Sequence, residues 1–433
     1  MVVNWLSMTP PETAQCPAAR HPVSVAEFLA QFPRVDSYAE IDEVLRSPDF
    51  IQGSHFESRP VFGGSLVVTD GPLHRARRRM LMTMFSHEAL QRNERETLGP
   101  TIAQAFEALK ATRGSDGLAR VDLVSLLRGL TIVISASVTG VDDAQQPERR
   151  ARLQALVGKL EAASGVEWST RNHEEVMQEG IVARRELIRD FLQPALDRRV
   201  ELMRLIRAGE LAKSGLPVDL LGMLAEQGED GSEGEDAVIW RECALFLVAG
   251  TQTTSHAIPN MFWHLDEWWA KHPDQRERAT DIEFLRAAAN ESLRLHQPVP
   301  ALLRIAAKDV VLSTGRSFKK GERVALFFSS ANREAASFGK DTEDFNPLRP
   351  FSRKPPPWGL TFGSGAHTCI GRALVTGLSR RYDDTDPTHG TIVGVLRALY
   401  QAGAMLAPAD PPRRNTDSYH DAFASMPITL HTL

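Results

Sequence analysis

Apolar residues recurring at helical spacing, set against few strand-like runs, predict a mainly α chain with small β-sheets, an α+β class. The helical pattern runs from Ser86 to about Arg113 and through much of residues 120–210, with charges between the apolar positions. Strand-like runs are confined to segments such as residues 323–328 and the final 427–430. Length alone, 433 residues, suggests two or three domains. Hydrophobic residues at 42% and charged residues at 24% are ordinary for a globular protein, so a sizeable core is available. A net charge of −5 gives no nucleic-acid footprint. Cys16, Cys243 and Cys369 lie far apart, which argues against a disulfide framework or a tetrathiolate metal site. The first residues carry neither a basic-then-apolar signal nor an apolar run of roughly 20 residues, and a cytoplasmic protein without a membrane anchor is expected.

In chain order, the first helical pattern is Ser37-Tyr38-Ala39-Glu40-Ile41-Asp42-Glu43-Val44-Leu45. No hairpin of alternating valines and aromatics accompanies it, so a reduced N-terminal sheet is expected. In the basic run of residues 70–79, His74 and Arg78 are four apart and share a helical face, with Arg75 and Arg79 pointing elsewhere; alone, such a run is most often a solvated surface. Residues 226–236 are acidic and Gly-rich and read as a solvated loop. Residues 244–254 form an apolar helix interrupted by Ala249, Gly250 and a hydroxyl cluster. Gly250 there costs about 1 kcal/mol relative to alanine, which invites a reason such as a kink that admits a diatomic ligand. The plainer reading is a buried helix whose threonines bond their own carbonyls. Glu291 and Arg294 stand three apart on a helical face, worth about 0–1 kcal/mol if exposed. Pro387 and Gly390 break a helical pattern that resumes at Thr391, which predicts an inserted surface loop over 382–390.

The most specific segment is Phe362-Gly363-Ser364-Gly365-Ala366-His367-Thr368-Cys369-Ile370-Gly371. A free thiol has a pKa near about 8.5, so a ligand thiolate needs donors or positive charge around it. Gly363, Gly365 and Gly371 supply a backbone able to turn tightly and aim N–H groups inward. A helix opening at Gly371 would set its positive end beside Cys369. Small residues let a flat cofactor approach the main chain, with Phe362 packing beneath it and His367 bonding a carboxylate at its rim. The bland alternative is an inert buried thiol in a Gly-rich turn.

This segment resembles the heme-ligand loop of the cytochrome P450 family at every signature position. The resemblance implies one large helical unit over residues 1–433, heme b (iron protoporphyrin IX) as cofactor, and Cys369 as the axial thiolate to iron. Residues 70–79 resemble the family's His-x-x-x-Arg segment, which implies that His74 and Arg78 hold a heme propionate. Residues 244–254 look like the oxygen-binding groove, with Ala249 and Gly250 at its floor and Thr253 as the hydroxyl that contacts oxygen. The preceding position is usually acidic in the family, and here it is Gln252, an amide that orients water but cannot relay a proton by ionising. Glu291 and Arg294 resemble the Glu-x-x-Arg pair, with Arg349 as the third member of a structural triad. Arg304, in the proline-stiffened segment 298–304, looks like the second propionate ligand.

The activity so implied is a monooxygenase of soluble bacterial type that hydroxylates a hydrophobic small molecule, as in secondary metabolism. O2 would be co-substrate, with electrons ultimately from NAD(P)H through a separate ferredoxin and ferredoxin reductase. Arg75, Arg79 and Arg372 are candidates for a basic docking face for such acidic partners. Leu245, Val299, Leu302 and Phe423 are candidates for the substrate pocket. Two rival readings are a peroxide-using or non-oxygenating heme enzyme, which would explain Gln252, and a heme-binding sensor or carrier.

Overall fold

Ser37 caps the first predicted helix, its hydroxyl accepting from the Glu40 N–H at 3.5 Å, and the helix spans Tyr38–Arg46. The computed structural model describes residues 28–228, 234–350, 354–378, 388–415 and 422–432. Cys16 and most of the predicted loop over 382–390 lie outside the described residues. The described chain divides into two compact units whose segments alternate in sequence: residues 54–89 and 131–252 (with Phe28) form one, and residues 29–53, 90–130 and 253–432 the other.

The first unit is helical. In Pro147–Ser164, Leu153, Leu156, Val157 and Leu160 recur three and four apart and are buried. This helix packs on His173–Leu187, where a side chain at Gly180 would meet the Ala163 methyl at 2.5 Å. The acidic loop expected over 226–236 is tied down at one end, because Asp236 bonds the buried Arg184 at 2.6 Å.

The second unit carries the sheets. Arg34–Val35, Arg323–Phe327, Ala301–Ala306 and Phe50–Gln52 lie side by side in that order, the first pair parallel and the others antiparallel. The N-terminal contributions are two and three residues long and pair with late strands rather than with each other. A second sheet pairs Pro427–Leu430 with Ala119–Asp122 and Met405–Leu406. The helical pattern expected through much of 120–210 begins at Leu123; residues 119–122 are strand, because their partner sits about three hundred residues away where no local pattern reveals it. The main core joins Leu123 and Leu127 to Phe262, Leu265, Phe284 and Leu396. Among the described residues, no helix is long and apolar enough to cross a membrane.

Asp281 caps the helix Ile282–Leu295, which carries Glu291 and Arg294. Both are fully buried, joined by two bonds of 2.8 and 2.9 Å, and the Arg349 Nε reaches the same carboxylate at 2.9 Å. Two guanidinium charges against one carboxylate would be costly without further partners. Carbonyl oxygens supply them: Arg294 donates to Asn332 and Thr342, and Arg349 to Phe338, Lys340, Asp341 and Asp344. Asn332 extends the network by accepting from the Leu360 N–H at 2.7 Å, while the Thr361 hydroxyl donates to the Leu293 carbonyl at 2.6 Å. The triad is thus hydrogen-bonded, through Asn332 and Thr361, to the segment that leads into Cys369. Glu291→Gln is expected to cost about 3–5 kcal/mol of stability by stranding buried charge. Denaturant midpoints check this, and Arg294→Lys will not restore wild-type stability because it loses the bidentate fork.

Candidate active site

The Cys369 loop is held by its backbone. The Cys369 N–H donates to the Phe362 carbonyl at 2.8 Å, and the Gly363 N–H to the Leu360 carbonyl at 2.7 Å. Gly365 has φ +67, and a side chain there would meet the Leu45 carbonyl oxygen at 2.3 Å, so only glycine lets the loop lie against the end of Tyr38–Arg46. Ser364 adds a hydroxyl bond to Asp42 of the same helix. Cys369 itself is exposed, in contrast to Cys243, whose thiol is fully buried and pushed well above its ordinary pKa by that burial. Phe362 packs edge-on against Trp358, with Arg372 over the other ring's face at 4.9 Å. Gly371 opens the predicted helix, but only Arg372–Thr376 is helical before Gly377 at φ +73 ends it; the helix that resumes at Thr391 runs to Gln401. Any helix-dipole support for a thiolate is therefore that of five residues.

Two expected carboxylate-binding residues come together in this unit. Arg304 is buried on Ala301–Ala306, directly opposite Gln52 in the register. Gln52, which the sequence reading did not single out, bonds Arg304 at 2.8 Å and the Nδ1 of His367 at 3.0 Å. Val299, just before the same strand, and Leu302 within it are half-buried. Phe423 is not at an open face: it is buried in the main core, 5.9 Å from Trp263 and 3.9 Å beneath Arg414. A separate cavity of about 600 Å³ opens beside Trp263, Trp268, His272, His296 and Phe345, and none of the residues singled out from sequence lines it.

In the other unit, the helix Gly71–Leu81 buries His74, Arg77 and Leu81, leaves Arg78 half-buried, and exposes Arg75 and Arg79. Arg77, unremarked in sequence, donates to the Gly64 carbonyl, and burial lowers its pKa. Near its charge lies Glu242, fully buried, accepting from the Leu66 N–H at 2.9 Å. Burial raises the Glu242 pKa to about 7, against the opposing pull of the Leu66 N–H and Arg77.

Glu242 belongs to the 34-residue helix Val238–Lys271, which passes from one unit into the other. Most of its side chains are buried, but Leu245, Phe246, Gly250, Gln252 and Thr253 are half-buried and Ala249 is exposed. Leu245, Ala249, Gln252 and Thr253 recur three and four apart, so these less buried positions share one side of the helix. Gly250 has a packing reason of its own, since a side chain there would meet the Ser135 hydroxyl at 2.5 Å. Pro259 interrupts the ladder about two and a half turns further on, and the Asn260 side chain bonds the His256 carbonyl beside it.

An exposed cysteine on a glycine-built loop, with Arg304 and His367 in the same unit as donors suited to carboxylates, fits a heme. The Cytochrome P450 family description matches residues 37–376. Putative cytochrome P450 YjiB of Bacillus subtilis is 24% identical over 78% of this chain and 76% of its own length. Cytochrome P450(MEG) of Priestia megaterium is 28% identical over 71% of this chain and 66% of its own length. Substrate-free CYP109E1 from Bacillus megaterium superposes with a TM-score of 0.68 at 23% identity, covering 93% of this chain and 94% of that one. The chain belongs to the cytochrome P450 family, whose members are monooxygenase oxidoreductases.

Two outcomes are expected here. Gly250→Ala gains about 1 kcal/mol of helix propensity but overpacks Ser135 at a cost of about 1–3 kcal/mol. Thermal unfolding will show a net loss, relieved by adding Ser135→Ala. Folded Glu242 holds a proton that the unfolded chain releases above its ordinary value of 4.5, so stability falls as pH rises from there to about 7 and then levels. Denaturant titrations are expected to show a loss of about 3 kcal/mol over that window, absent in Glu242→Gln.

Proposed function

We propose that this cytochrome P450 hydroxylates a hydrophobic small molecule, with Cys369 as thiolate ligand to heme b and electrons delivered by separate ferredoxin-type partners. The observation that carries the reading is one side of Val238–Lys271, where the less buried, apolar Leu245, Phe246 and Ala249 adjoin polar Gln252 and Thr253. An apolar surface of that kind takes a nonpolar substrate, and the polar end beside it is where protons and oxygen would be handled. Half-buried Val299 and Leu302 extend the apolar lining.

When bound, heme supplies reductive activation of O2 with electrons that originate in NAD(P)H. The chain's own residues supply the rest. Cys369, exposed on a rigid loop, presents its sulfur. Arg304 and His367 bind carboxylate at one edge of the cofactor, and His74 and Arg78 serve the second propionate. The Thr253 hydroxyl donates and accepts, so it passes a proton without changing charge. The Gln252 amide orients water at the position where the family usually has an acid, so a proton has to arrive through water rather than from a carboxyl at this position. Exposed Arg75 and Arg79 offer positive charge to an acidic electron donor.

Gln252 also gives a second reading its footing: a peroxide-using enzyme needs no proton delivery to bound oxygen. The two separate in one assay. With a substrate found by spin-state titration against lipids, terpenoids, aromatics and macrolides, turnover driven by NAD(P)H and a surrogate ferredoxin pair should exceed turnover driven by hydrogen peroxide. The reverse ranking selects the peroxide reading, and a chain that binds heme but turns over with neither is a sensor or carrier. Gln252→Asp is expected to raise the ratio of product to released peroxide; an unchanged ratio removes Gln252 from proton delivery.

A further inference from the structure

Gln52 ends the strand Phe50–Gln52 and faces Arg304 across the antiparallel pair. Its place there is fixed by the backbone beyond it. The Gly53 N–H donates to the Leu303 carbonyl at 3.1 Å, the Arg323 Nε donates to the Gly53 carbonyl at 2.6 Å, and a side chain at Gly53 would meet the Arg304 main chain at 2.7 Å. His367 is fixed from its own side, because Gly365 and Ser364 anchor its loop to Tyr38–Arg46. The amide of Gln52 spans the gap between them, with Oε1 at 2.8 Å from Arg304 Nη1 and Nε2 at 3.0 Å from His367 Nδ1.

The two contacts determine each other. A guanidinium only donates, so the amide oxygen has to face Arg304; the flipped amide would set two donors against one another. The amide NH2 therefore faces His367, and a nitrogen that receives an N–H must be an acceptor. Nδ1 then carries no hydrogen, and the ring proton sits on Nε2. We propose that Gln52 is a positioning residue for the cofactor edge: it orients Arg304 and sets the His367 tautomer so that both present donors to one heme carboxylate. A neutral amide does this without adding charge to the site, whereas a carboxylate in its place would compete with the propionate for Arg304.

The proposal rests on the heme reading, and the test separates the two. His367 is observed in uniformly 15N-labelled, reduced, CO-bound holoenzyme, which is diamagnetic, with its resonances assigned by comparison with His367→Gln. The expected result is an Nε2–H tautomer in the wild type, a mixture of tautomers in Gln52→Ala, and a shift toward Nδ1–H in Gln52→Glu, where only an acceptor faces the ring. Hemin transfer to apomyoglobin supplies a second reading: Gln52→Ala should lose hemin about tenfold faster, as removal of an outer partner of a cofactor ligand does. Wild-type protein in the Nδ1–H form, or a Gln52→Ala variant with unchanged tautomer and unchanged hemin loss, overturns the role of Gln52 and leaves the heme reading standing. A wild-type chain that takes up no hemin overturns the heme reading, and the proposal with it.

Discussion

The loop that presents Cys369 has almost no regular structure of its own, so its position depends on anchors outside it, and the buried carboxylate of Glu291 is the centre of one of them. Glu291 holds two arginines that are themselves held by main-chain carbonyls from several turns. Through Asn332 and Thr361 the same network reaches the backbone at Leu360, which in turn accepts from Gly363. A thiolate ligand has to be presented at a fixed distance and angle, and a loop stiffened by main-chain bonds meets that demand better than one stiffened by flexible side chains.

For much of the buried charge in both units the requirement is the same, that its hydrogen-bonding capacity be filled. The triad meets it with carbonyls. Arg304 meets it with its own strand and Gln52. Glu242 meets it incompletely: one oxygen accepts from Leu66 and the other has no hydrogen-bond partner. Burial raises its carboxyl pKa to about 7.

Much of this was legible in sequence because the chemistry is local. The Cys369 loop, the Glu291/Arg294 spacing and the small-residue interruption at Gly250 each fit within about ten residues, and the strands 323–327 and 427–430 declared themselves by composition. What escaped depends on partners far away in the chain. Gln52 is an ordinary polar residue at a strand end until Arg304 is placed opposite it. Residues 119–122 have no strand signature without Pro427–Leu430. Arg77 is not singled out within its basic run, and only burial distinguishes it. Phe423, expected to line a pocket, is buried beside Trp263 and Arg414, neighbours that its own segment does not announce. Gly250 shows the limit from the other side, since a glycine that suggests a ligand groove also has Ser135 pressed against it.

The central claim is that sulfur from Cys369 binds the heme iron, and the most direct measurement is the absorbance spectrum of reduced, CO-bound protein reconstituted with hemin, compared with Cys369→Ser at equal folded content by circular dichroism. The account predicts a thiolate-type band in the wild type that is lost in Cys369→Ser and retained in Cys243→Ser. A Cys369→Ser protein with an unchanged Soret spectrum would contradict it.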